Sequence, residues 1–133
     1  LKAEHGFVLL WDAHSIRSEI PWLFDGRLPD LNIGTANGDA ADARIAAAVV
    51  DACRDAPGVT SVLNGRFKGG YITRRYGRPA EQVHAVQLEK CQCLYMQEQL
   101  PYAWQADRAA AIQPVLQSMV GAALDAARTL YAK

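Results

Sequence analysis

The apolar run Phe7-Val8-Leu9-Leu10-Trp11 stops on Asp12-Ala13-His14-Ser15. So greasy a run predicts a buried strand over Phe7–Asp12, with an acid, a histidine and a serine at its end. Polar groups at the mouth of a sheet are where α/β proteins hold ligands. The same residues also make an ordinary strand-ending turn, because Asp and Ser favour turns. A long stretch through Gly38, rich in Pro, Gly, Asn and Asp, reads as irregular, and structureless loops of that length are usually functional. A helix is predicted next, with Asp39 as N-cap and Asp42 three residues on in the manner of a capping box. Its stripe is Ile45, Val49, Ala52 and Cys53, and Pro57-Gly58 ends it.

Val59–Leu63 is β-branched and half-alternating, which predicts a second strand running into Asn64-Gly65. The stretch Gly65–Gly77 reads as a glycine-rich connection. Val83–Glu89 predicts a third strand, with Ala85, Gln87 and Glu89 on one face and His84, Val86 and Leu88 on the other. A helix is expected from there to roughly Gln99. The last helix carries Ile112, Val115, Leu116, Met119, Val120, Ala123, Leu124 and Ala127 as one apolar stripe, with Pro114 either kinking it or marking its first turn. Strands and helices interleave, so the order is that of an α/β domain.

Composition narrows the function. The 133 residues are half apolar, enough for one buried core, and the formal net charge is zero with acids and bases interspersed. No basic face of the kind nucleic acid requires is visible, and no apolar run reaches the length of a membrane span. Cys53, Cys91 and Cys93 are odd in number and too few for a disulfide framework, which points to reduced thiols and a cytoplasmic protein. The chain opens on Leu1, and Leu1–Gly6 reads as the tail of an element, so a piece of a longer domain is expected.

Three groups of residues carry chemistry: Asp12 and His14 with Arg17; the loop with Arg66, Lys68, Arg74 and Arg75 among four glycines; and Gln87 with Glu89. Histidine is the commonest metal ligand, and a nearby carboxylate often fixes its ring. Arginine forks match a carboxylate or phosphate at two points, although the same loop reads equally as a solvated turn. It lacks the order of a phosphate-binding G-x-x-x-x-G-K-[ST] loop. Glu89 ends an apolar strand, where a carboxylate is costly to bury. Either it caps the following helix or it is a general base with a raised pKa, activating water beside a metal ion.

The linked segments W-D-A-H-S-I-R-S, P-D-L-N-I-G-T-A-N-G, N-G-R-F-K-G-G-Y-I-T-R-R-Y-G and V-H-A-V-Q-L-E-K-C-Q-C-L-Y-M resemble the N-formylglutamate amidohydrolase (deformylase) family, in order and over nearly the whole chain. Arg75 departs from the pattern, where a histidine is expected in many members. The resemblance implies a zinc-carboxypeptidase-like (phosphorylase/hydrolase-like) mixed sheet flanked by helices, present here only in part as the C-terminal portion of one domain. It implies zinc-dependent hydrolysis of N-formyl-L-glutamate to formate and L-glutamate in histidine degradation. His14 would be a metal ligand, with Asp12 orienting it, and Glu89 the catalytic carboxylate. A substrate with two carboxylates calls for arginines, with Arg74, Arg17 and Arg66 as candidates and Asn64 as a neutral partner. The alternatives are a related zinc-dependent N-acyl amino acid deacylase or carboxypeptidase-like enzyme, or an inactive fragment lacking its remaining metal ligands. A small-molecule substrate is expected, with no nucleic-acid or membrane partner.

Overall fold

The structure is a computed structural model and describes residues 1–132. A one-turn helix α1 (Lys2–His5) leads into strand β1 (Val8–Ile16), followed by β2 (Leu31–Gly34), helix α2 (Ala43–Arg54), β3 (Ser61–Leu63), the short helix α3 (Tyr71–Tyr76), β4 (Val83–Cys91) and the long helix α4 (Ala106–Tyr131). The strands form one mixed sheet in the order β1-β4-β2-β3. β4 runs parallel to β1 and antiparallel to β2, and β2 runs parallel to β3.

The two faces of the sheet are used differently. Leu31, Ile33, Val86 and Leu88 project to one side and pack on Ile45, Val49 and Cys53 of α2 and on Ile112, Met119 and Ala123 of α4. This layer is the core, and removal of its apolar surface from water is the main term holding sheet and helices together. His84 belongs to the same face and is fully buried. Its Nδ1 accepts the Asp42 N–H at 3.1 Å, and its Nε2 lies 2.7 Å from the Tyr131 hydroxyl, so one ring ties β4 to the start of α2 and the end of α4. The period of two along each strand sends the intervening residues to the opposite face, where α3 and the polar groups lie.

Several elements differ from the sequence expectation, each for a local reason. β1 does not stop at Asp12 but continues through Ile16, because β4 pairs with it at all nine positions, from Val8 with Val83 to Ile16 with Cys91. The stretch read as irregular contains β2, whose four residues are all buried. Its polar member hid it: the Asn32 Nδ2 is satisfied inside the sheet, donating to the Pro29 carbonyl at 2.8 Å and the Glu89 carbonyl at 3.1 Å, while its Oδ1 has no partner among the described residues. The N-cap of α2 is Asp42, not Asp39; its carboxylate accepts the Arg44 N–H at 2.9 Å, whereas Asp39 closes a preceding 3-10 turn. The glycine-rich connection contains α3.

No α-helix directly follows Glu89. β4 extends to Cys91, and only a 3-10 turn, Gln92–Leu94, comes before an irregular segment. That segment is held by the Glu98 carboxylate, which accepts from Ser18 N at 2.7 Å, Ser18 Oγ at 2.6 Å and Cys93 N at 3.0 Å. Pro114 lies inside α4 rather than at its first turn. Positions 110 and 114 are both exposed, so the hydrogen bond that proline removes falls on the solvent side.

Candidate active site

The face opposite the core brings two of the sequence-predicted groups together. β1 contributes Asp12 and His14, and β4 contributes Gln87 and Glu89; in the parallel register Asp12 lies beside Gln87 and His14 beside Glu89. From the other side β2 contributes Asn32, opposite Glu89, and Gly34, opposite Gln87. Since residues paired across strands share a face, these six line one patch over three adjacent strands.

His14 Nε2 lies 2.9 Å from Asp12 Oδ1, with the imidazole about half exposed and the carboxylate largely buried. A carboxylate at that nitrogen favours the tautomer that keeps its proton there, which leaves the Nδ1 lone pair for a ligand. The Glu89 Oε1 is buried and has no hydrogen-bond partner among the described residues. Burial pushes the Glu89 carboxyl above its ordinary range; His14 and Lys90 oppose the shift and Asp12 adds to it. An unpaired buried carboxylate oxygen costs stability and calls for an explanation in function. Glu89 is therefore no helix cap, because no α-helix begins directly after it.

The glycine loop reaches this face through backbone contacts. Gly70 N–H donates to Gln87 Oε1 at 2.8 Å. The Lys68–Gly69 backbone passes so close over Gly34 that a Cβ there would stand 2.5 Å from Lys68 C and Gly69 N, so only glycine fits at that position. Arg74 turns back onto this loop, its Nη1 donating to the Gly69 carbonyl at 2.8 Å, and shares a cavity of about 390 Å³ with Lys68 and Asn37. Arg66 lies elsewhere, its Nη2 donating to the Leu23 carbonyl at 2.7 Å, and Arg17 is exposed just beyond β1. Among the described residues, none of Arg17, Arg66 and Arg74 pairs with a carboxylate, so each retains charge for an anion. Arg75 stacks its guanidinium 5.9 Å from the Tyr76 ring centroid.

Asn64 has structural work. Its Oδ1 accepts from Thr35 N at 2.8 Å and Asn37 N at 3.3 Å, and its Nδ2 donates to Thr35 Oγ1 at 2.9 Å. One Nδ2 hydrogen remains, so the amide mainly fixes the turn after β2. Asn32 and Gly34 were not singled out from the sequence, although the segment P-D-L-N-I-G contains both; the missed strand concealed that they face Glu89 and Gln87.

Among the described residues no three His, Cys, Asp or Glu side chains cluster so as to hold a metal ion. His5 sits in α1 beside Glu4, and both ring nitrogens of His84 are engaged in the core. Among the described residues, no helix is long and apolar enough to cross a membrane.

The chain is 55% identical over 132 residues to the N-formylglutamate deformylase of Pseudomonas aeruginosa, covering 99% of this chain and 50% of that protein. It is 52% identical over 124 residues to the N-formylglutamate deformylase of Pseudomonas putida, covering 93% of this chain and 46% of that one. The chain thus spans about half the length of these relatives. Its fold matches the crystal structure of N-formylglutamate amidohydrolase from Ralstonia eutropha JMP134 with a TM-score of 0.78 at 22% identity, over 96% of this chain and 48% of that one. The family model for N-formylglutamate amidohydrolase matches residues 1–96, which include β1 to β4 and every residue of the polar patch. With that match and those identities, the chain belongs to the N-formylglutamate amidohydrolase family.

Proposed function

We propose that this chain supplies the His14 and Glu89 part of a zinc amidohydrolase site that hydrolyses N-formyl-L-glutamate to formate and L-glutamate. The observation that carries the reading is the buried, unpaired Glu89 carboxylate oxygen one strand away from a histidine oriented by Asp12. The names of the Pseudomonas relatives support the substrate. On this reading the mixed sheet is part of a zinc-carboxypeptidase-like fold, the protein works in the cytoplasm, and its reaction belongs to histidine degradation.

The residues present fit one portion of a metal site. His14 offers Nδ1 once Nε2 is committed to Asp12, and the other ligands would come from outside this chain. Bound there, zinc supplies Lewis acidity, polarising the formyl carbonyl and lowering the pKa of water. Glu89 is the proton carrier. Its buried carboxylate takes a proton as a water oxygen bonds to the formyl carbon, and it returns that proton to the nitrogen as the C–N bond breaks. Burial suits the task, because a carboxylate held above its usual pKa is a stronger base and holds the proton long enough to pass it on. Asp12 keeps the His14 ring in one tautomer. Arg74, which lines a cavity with Lys68 and has no carboxylate partner among the described residues, would take a substrate carboxylate.

The test is release of the free amino acid by the purified full-length protein from N-formyl-L-glutamate, N-acetyl-L-glutamate, N-formyl-L-leucine and an N-blocked dipeptide, with formate measured for the formyl substrates and metal content on the same sample. Formylglutamate is expected to be the best substrate with zinc present in stoichiometric amount. A higher kcat/KM on the acetyl or peptide substrate would replace this reading with a deacylase or carboxypeptidase.

A further inference from the structure

Gln87 belongs to the polar patch but has no part in the reaction described above. It is 6% exposed, in the middle of β4, between Asp12 on one neighbouring strand and Gly34 on the other. The Gly70 N–H at 2.8 Å can be met only by the amide oxygen, so this bond settles which arm is oxygen and which is nitrogen. The Nε2 arm has no protein partner among the described residues. It is also absent from the sealed-off polar atoms without partners, which are Asn32 Oδ1, Thr73 Oγ1 and Glu89 Oε1. A nearly buried side chain thus holds two N–H donors in a fixed direction, on the face that carries His14 and Glu89, with nothing of the protein to receive them. Donors left idle in this way reject ligands that lack an acceptor and favour those that bring one.

Spacing identifies the acceptor, granted the formylglutamate reading, on which this argument rests. Gln87 precedes Glu89 by one two-residue repeat, roughly 6.6 Å along a strand. In an extended N-formylglutamate the side-chain carboxyl carbon lies five bonds from the formyl carbon, roughly 6 Å, whereas the α-carboxyl carbon lies three bonds away, roughly 4 Å at most. With the formyl carbon within reach of Glu89, the side-chain carboxylate comes level with Gln87. We infer that Gln87 is a specificity-determining residue whose Nε2 donates to the side-chain carboxylate of the substrate. The Gly70 N–H aims the amide. The loop and the catalytic strand are thereby coupled through one hydrogen bond.

Gln87→Glu separates this role from a structural one. The carboxylate still accepts the Gly70 N–H, so the strap survives, while the idle donor becomes an acceptor that repels an anionic substrate. In the full-length enzyme, KM for N-formylglutamate is expected to rise roughly 10- to 100-fold and by more than kcat falls, with zinc content held and the melting temperature lowered by the newly buried carboxylate. For N-formyl-norvaline, which keeps the chain and the α-carboxylate but lacks the side-chain carboxylate, KM should rise far less. A second measurement needs no variant: the Gln87 side-chain NH₂ resonances of the wild-type protein should shift on adding N-formylglutamate and stay still with N-formyl-norvaline. Equal effects on both substrates, an unchanged KM, or unmoved resonances in an active wild-type enzyme overturn the inference alone. A wild-type enzyme inactive on N-formylglutamate overturns the functional reading, and the inference falls with it.

Discussion

Replacing Glu89 with glutamine in the full-length enzyme should remove turnover, keep the metal and stabilise the fold. The amide has nearly the shape of the carboxylate but cannot take a proton from water, and loss of a general base costs about 10²–10⁴-fold in rate, about 2.7–5.4 kcal/mol of barrier. The structure places the loss at the upper end. The other carboxylate on this face, Asp12, is already engaged with His14 Nε2 at 2.9 Å and cannot take over. Stability moves the opposite way, and the sign follows from the raised pKa of Glu89. With the folded pKa above the unfolded value, the native state binds more protons than the unfolded chain in that window. The favourable contribution is complete below the unfolded pKa and is lost as pH rises through the folded one. At neutral pH the wild type therefore carries a burial penalty that Glu89→Gln lacks. The melting temperature of the variant should exceed that of the wild type at pH 7.5, and the gap should narrow as pH falls toward 4.5. Formate release, metal analysis and thermal melts over pH 4.5–7.5 read the three effects. A variant that keeps more than a tenth of kcat, or that loses its zinc, would refute the role assigned to Glu89.

Arg74→Lys should raise KM for formylglutamate more than it lowers kcat, for a drop of roughly 10- to 100-fold in kcat/KM, because a lysine offers one mobile charge in place of a fork; unchanged steady-state kinetics would make the loop a surface turn. The 1–133 chain alone should bind zinc weakly in a chelator-competition titration, since His14 is its one free, oriented imidazole among the described residues; tight stoichiometric binding would show the site to be complete within it. His84 should make the fold acid-sensitive. Burial lowers its pKa, so the stability held by the neutral ring is present above about pH 6.5 and lost as pH falls through the folded pKa, by at most about 1.4 kcal/mol per pH unit. Urea denaturation of wild type and His84→Gln at pH 7.5 and pH 5.5 checks this, with a flatter pH dependence expected for the variant.

Local pattern carried much of this molecule. The apolar run at Val8–Trp11, the stripe Ile45, Val49 and Cys53, and the stripe of α4 each declared an element, because burial of one face imposes a period of two on a strand and near 3.6 on a helix. His14 and Glu89 stood out as candidates for a related reason: an ionisable group within an apolar strand is expensive unless it is used. Tertiary structure decided everything that depends on a partner strand. β2 is invisible as a strand because Asn32 interrupts its apolar pattern, and its carboxamide is affordable only where β4 offers the Glu89 carbonyl. The helix expected after Glu89 is absent because the Glu98 carboxylate holds that segment to Ser18, about eighty residues earlier. Likewise, no local rule says that His14 stands beside Glu89, that Gly34 must be bare to admit Lys68 and Gly69, or that Gly70 fixes the amide of Gln87. Each of these follows from sheet register, which is set by long-range pairing and has no signature within a window of a few residues.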